Sequence, residues 1–342
     1  MTGRVARVAT REAYILGEGP VWDSRRGRLL WVDIVGRAVL AGVFDGDRLI
    51  VEDRIAWETM VGAVTVAADG SLLVAAETGL VLLHPDGTRR TGPTIIPAPE
   101  PPRSPAPEPP RSPAPEPPRS PAPEPPRSPA PEPPRSPAPE PPRVVAKRRL
   151  NDGKTDPEGR FLVGTLAFAG DSQREVLVRL ENDGAITTID DDLTLSNGLA
   201  WSTDGSRLFS VDTLRRTVSV RDYATLGPRG TFITLDEGYP DGIAMDADDH
   251  LWMAVWGAGE VRRYDPAGTC VERIAVPAPH TSSVAFADDD LRRLVITTAT
   301  DDLTDEQRQQ FPDSGRIFTV RVDVPGHLVP AWHQPQEFRP CT

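Results

Sequence analysis

Lysine is nearly missing from this 342-residue chain: Lys147 and Lys154 stand alone among 38 basic residues. Acidic residues number 50 and the formal net charge is −12, which excludes the clustered positive surface that a nucleic-acid partner needs. Cysteine is equally scarce. Cys270 and Cys341 are too few to staple a chain of this length and lack the paired spacing of a zinc site, so a reducing, cytoplasmic setting is the expectation. No apolar run approaches the ~20 residues of a membrane-spanning helix. Met1–Thr10 holds arginines but no apolar core of a secretory signal. Amphipathic helices of a dozen residues are missing as well, with Asp302–Phe311 the best short candidate. The usual catalytic signatures do not occur: no Gly-x-Ser-x-Gly, no phosphate-cradling glycine loop, no His-Glu-x-x-His, and no ligand spacing among the histidines.

Proline, by contrast, is in excess. Six tandem copies of Pro-Ala-Pro-Glu-Pro-Pro-Arg-Ser, the last without its serine, fill residues 97–143 and hold 24 of the 38 prolines. Proline gives no amide donor to a strand ladder and fixes φ, and the octapeptide offers no large apolar group to bury. The repeat is therefore expected to be a disordered, polyproline-type insert that stays out of the core of a single domain spanning 1–342. It reads as a neutral expansion in a tolerant loop; a docking arm for a proline-recognising partner is the competing reading. Its charges cancel, so the whole −12 belongs to the remaining chain.

That remainder has a period of 2. Leu29–Ile34, Ser71–Ala76 and Arg160–Gly164 are short apolar runs opened by turn residues, the signature of an all-β fold. The turn-then-strand unit recurs at Arg26-Gly27, Asp69-Gly70, Glu158-Gly159, Asp204-Gly205, Asp248-Asp249 and Asp289-Asp290. Once the repeat is set aside, these lie about 43 residues apart, the length of a four-stranded propeller blade. Six units predict a six-bladed β-propeller interrupted between its second and third blades. The acidic runs Asp190–Asp192, Asp246–Asp249 and Asp288–Asp290 lack the pattern of a calcium loop and read as hairpin turns facing water.

Four segments put polar residues where an innermost strand should begin: Gly17–Trp22, Arg149–Lys154, Ser196–Trp201 and Pro240–Ala244. Innermost strands converge on the central channel, so a Glu, an Asn and an Asp from distant blades can meet there. Such an oxygen-rich set suits Ca2+, Mg2+ or Mn2+ better than Zn2+, which usually takes N or S ligands too.

From about Glu12 to Val322, insert excluded, the chain resembles the SMP-30/gluconolactonase/luciferin-regenerating enzyme family. The resemblance rests on Glu-Gly-Pro-x-Trp, Arg-x-Asn-Asp-Gly-Lys-x-Asp-x-x-Gly-Arg-x-x-x-Gly-Thr, Ser-Asn-Gly-Leu-x-Trp-Ser and Pro-Asp-Gly, in that order. It implies a six-bladed propeller with a central divalent-metal site, liganded by Glu18, Asn197 and Asp241, and a substrate-binding pair, Arg149 and Asn151. It further implies a lactonase that hydrolyses a sugar-type lactone to the hydroxy acid, the metal acting as Lewis acid and Asp241 as general base. One divalent ion is expected, Ca2+ first, with Zn2+, Mn2+ or Mg2+ as alternatives. The expected partner is a small-molecule lactone, with neither nucleic acid nor membrane. One departure stands out. Gly164-Thr165 is followed by Leu166-Ala167-Phe168-Ala169, where some relatives carry a carboxylate pair, so an esterase or lactonase acting on a less polar ester is the alternative. A non-catalytic binding scaffold is the alternative from outside the enzymes.

Overall fold

The apolar runs are short because each strand crosses a thin sheet buried on both faces. The computed structural model describes residues 4–97, 147–170 and 172–335. Leu29 and Trp31 point to one side of their sheet and join a core with Val295 and Ile317, while Leu30 and Val32 point to the other and join Val64 and Val74. Successive residues of a strand face opposite ways, so a strand covered on both faces reads as continuous apolar sequence. The expectations for the proline repeat (beyond Pro97) and for Cys341 fall outside the described residues.

Six antiparallel sheets follow one another along the chain, each opened by an inner strand: Gly17–Asp23, Val61–Val66, Arg148–Thr155, Ser196–Trp201, Tyr239–Met245 and Thr281–Ala287. They are numbered here as blades 1 to 6. All six turn units recognised in the sequence join an inner strand to the second strand of its blade. The sixth blade takes its outermost strand from the N-terminal region, where Arg7–Val8 lies antiparallel to Phe318–Arg321. Just upstream, Arg4–Val5 lies parallel to the outer strand of blade 5. The same short segment thus ties the last two blades and closes the ring. Among the described residues no helix is long and apolar enough to cross a membrane.

Two local expectations change. The helix is shorter than the candidate, Asp305–Gln310, because Thr304 and Gln307 form a reciprocal capping box that fixes its start. The acidic runs are not uniformly solvated turns. Asp246 is fully buried and accepts from the N–H groups of Asp248 and His250, from Trp252 Nε1 and from Arg263 Nε. Asp190 lies in a strand and pairs with Arg221 and Arg229. In both cases guanidinium groups from neighbouring strands, invisible in the local sequence, make burial of the charge tolerable.

Every inner strand carries a register shift against its second strand. The pairing breaks between Glu18 and Val21, Val61 and Ala63, Leu150 and Gly153, Ser196 and Leu199, Pro240 and Ile243, and Thr281 and Ser283. Such bulges free residues from the ladder and re-aim their side chains. Asn151, Asn197 and Asp241 are bulge residues, and Glu18 is the last paired residue before one. Gly19, next to Glu18, takes φ 51, which a side chain would strain.

Candidate active site at one mouth of the channel

The inner strands of four blades bring Glu18, Arg149, Asn151, Asn197 and Asp241 to the wall of one cavity of about 290 Å³. All five are at least 94% buried. All five residues singled out in the sequence therefore meet.

Asn197 shows how the chain fixes a donor atom. Its Nδ2 donates to Thr213 Oγ1 (3.2 Å), and the Thr213 hydroxyl donates onward to Pro240 O (2.9 Å). With its own proton engaged, Thr213 can only accept from Asn197, so the amide is oriented with Oδ1 free. That oxygen is buried without a hydrogen-bond partner, and so is Asp241 Oδ1. Glu18 Oε2 accepts from the Gly19 N–H at 3.0 Å.

These carboxyls are electrostatically uncomfortable. Burial, then repulsion from Asp152, pushes Glu18 up to about 8, against the pull of the Gly19 N–H and of Arg149. Asp241 is raised well above the usual carboxylate range by burial, then by Glu18 and Asp152, with the Asn197 amide and Arg149 opposing. Arg149 is brought down to about 10 by burial, against the attraction of Glu18, Asp301 and Asp241, and stays charged at neutral pH. Its Nη1 donates to Asn151 Oδ1 (2.6 Å) and Leu150 O (3.0 Å), and Asn151 Nδ2 donates to Ser196 O (2.9 Å).

Two buried carboxylates and an orphaned amide oxygen, with one guanidinium against them, lack positive charge at their centre. A hard divalent cation would satisfy the unpartnered oxygens and the carboxylates together, so the donor set fits such an ion. It contains no His or Cys, and among the described residues no three His, Cys, Asp or Glu side chains form a metal-holding group. The amide completes the candidate set, which is why a search for charged or soft ligands passes over it.

Several neighbours escaped the sequence. Asp152 is buried and its carboxyl is raised by burial, with Lys154 opposing. It belongs to the same Asn-Asp-Gly-Lys segment and could have been found there. Asp301, Asp302 and Trp256 also line the cavity. His280 stacks on Trp256 with 4.2 Å between ring centroids and hydrogen-bonds Asp301 O through Nδ1. No spacing rule connects these residues, which meet only through the ring of blades.

Solved structures share this architecture. A calcium-binding protein, regucalcin, from Agrobacterium tumefaciens superposes with a TM-score of 0.77 over 97% of this chain and 99% of that one, at 24% identity. Among curated proteins, the pentonolactonase of Haloferax volcanii is 31% identical over 83% of this chain and 81% of its own length. The 6-deoxy-6-sulfogluconolactonase of Pseudomonas putida is 28% identical over 95% of this chain and 97% of its own. Residues 16–102 and 137–300 match the family described as SMP-30/Gluconolactonase/LRE-like region, the break falling inside the proline repeat. With most of its length matched in this way, the chain belongs to the SMP-30/gluconolactonase/LRE-like family.

Proposed function

We propose that this protein is a hydrolase that opens a lactone to the hydroxy acid, using one divalent cation held by Glu18, Asn197 and Asp241. The observation that carries the proposal is a pair of buried carboxylates beside an unpartnered amide oxygen, in a cavity that also holds Arg149. The names of the lactone-hydrolysing relatives support the same reading. An all-oxygen set makes Ca2+ the first choice, with Mg2+ or Mn2+ next and Zn2+ least suited for want of N or S ligands. The reducing cytoplasm belongs to the same proposal, in keeping with the free thiol of Cys270.

A bound cation supplies a Lewis acid for the carbonyl and lowers the pKa of water. The chain's own residues supply the rest. Arg149 binds the substrate's oxygens and offsets the charge that develops on the carbonyl oxygen during attack. Asn151 holds the guanidinium through Oδ1 and is itself anchored on Ser196 O, so the pair is oriented before substrate arrives. Asp241 takes a proton from the attacking water as the water oxygen bonds to the carbonyl carbon; the ring C–O bond then breaks, and Asp241 returns that proton to the ring oxygen, which leaves as a hydroxyl.

The test is elemental analysis of the purified protein, then lactone hydrolysis with and without chelator. Near-stoichiometric cation and chelator-sensitive turnover are expected, both lost in Asp241→Ala and Glu18→Ala. Retained metal with full activity in either variant would refute the site.

A further inference from the structure

The mouth of the channel has two unlike walls. On the side of blades 3 and 4, Leu166 and Leu195 are joined by an isolated antiparallel bridge, and both line the cavity together with Leu214. Leu214 remains 40% exposed. Phe168, 46% exposed, follows the strand of Leu166 outside the cavity lining, its N–H bonded to Lys147 O and its ring 5.4 Å from the Lys147 ammonium. Single exposed apolar residues are ordinary, but neighbouring ones on the rim of a cavity mark a binding surface. On the side of blade 6 the lining is Asp301 and Asp302, with Leu16 and Trp256 beside them.

Two of the lining polar side chains, those of Thr213 and Asn151, are already committed. The Thr213 hydroxyl accepts from Asn197 and donates to Pro240 O, and the Asn151 amide is engaged with Arg149 and Ser196 O. A ring hydroxyl turned toward the leucines would be buried without a partner, losing its bonds to water and gaining none. An alkyl group in the same place buries apolar surface against apolar surface. Across the cavity Asp301 and Asp302 can accept from hydroxyl donors when ionised, and would repel an anionic substituent.

The geometry points to a lactone whose ring carries an unfunctionalised alkyl substituent, held against Leu166, Leu195 and Leu214, as the substrate class this site prefers. The inference rests on the lactone-hydrolysis reading above and narrows it away from polyhydroxylated sugar lactones.

The test compares δ-octanolactone with glucono-δ-lactone, which share a six-membered ring, as substrates of the full-length protein loaded with Ca2+. The expected result is a kcat/KM at least about ten-fold higher for δ-octanolactone, the scale set by an apolar group in a matching pocket. Leu166→Asn and Leu214→Asn should each cut that preference by about ten-fold or more. A parent enzyme that prefers glucono-δ-lactone overturns the inference while leaving lactone hydrolysis in place, as does a preference that neither variant moves. Turnover of neither lactone ends the hydrolytic reading instead. The uncleavable lactams of the two rings then judge the wall by calorimetry: tighter binding of the propyl-substituted lactam supports it, and equal, weaker or no binding of that lactam overturns it.

Discussion

Replacing Gly198 by alanine tests whether the Asn-Gly and Asp-Gly pairs of this chain serve as turns or as close contacts. Gly198 sits in the bulge of an inner strand, one residue after Asn197. A Cβ placed there would stand 2.4 Å from Asp241 O and 2.7 Å from Ile243 N, where ordinary contact begins near 3.4 Å. The inner strand of blade 5 must therefore retreat by about 1 Å, and it is backbone, pinned to its second strand by the Pro240–Val255 and Ile243–Met253 pairs. Overpacking of this kind costs about 1–3 kcal/mol, and rigid partners favour the upper end. At roughly 2–4 °C per kcal/mol for a chain of this size, the melting temperature should fall by about 6–10 °C. The retreat also separates Asn197 from Asp241, and a misplacement of about 1 Å is enough to lower turnover on the order of 100-fold. Gly230→Ala is the control, because its Cβ meets nothing nearer than Val220 O at 3.9 Å. Thermal melts and Ca2+ titration calorimetry on both variants decide the matter. A Gly198→Ala protein that melts within 1 °C of the parent (roughly 0.5 kcal/mol or less) and binds Ca2+ equally well would refute the reasoning.

Other consequences can be measured separately. Asp246→Ala leaves Trp252 Nε1 and the Arg263 guanidinium without their buried acceptor, and chemical denaturation should show a loss of about 3–5 kcal/mol. Trp332, 2% exposed among Phe161 and Val163, packs the segment after the last strand against blades 2 and 3, where its backbone N–H also bonds Val66 O; Trp332→Ala should lose about 3–5 kcal/mol through the lost side-chain packing. Chelator-treated protein should lose stability as pH rises. Glu18 ionises at about 8 in the folded chain against a reference value of 4.5, so between those values the folded state holds a proton that the unfolded state has released. Calorimetric melts from pH 5 to 8 should therefore fall without Ca2+ and flatten with it. Deleting residues 98–143 should leave the melting temperature and lactone turnover nearly unchanged, since the family match skips most of this repeat.

Much of the site was legible because its residues recur at one structural position. Asn-Asp-Gly, Ser-Asn-Gly and Pro-Asp-Gly each open an inner strand, and a bulge at that point in every blade turns the same place in the repeat toward the channel. The glycines were harder to read. Asn-Gly and Asp-Gly are common turn dipeptides, yet Gly198 lies within a strand and is held to its size by the neighbouring blade. Asp301, Trp256 and His280 share no motif and were not legible at all.

Taken alone, the sequence determined the all-β class, the number of blades and the ligand candidates. The class and the blade count depend on local rules, namely strand period, turn chemistry and a unit of fixed length, while the ligand candidates came from the family resemblance of the motifs. The tertiary structure decided how Arg7–Val8 closes the ring, which aspartates are buried, and which unlike walls face each other across the cavity. Those are properties of residues on different strands, from a few to about three hundred positions apart. Local propensity carries no information about them, and they become defined only when six sheets pack around one channel.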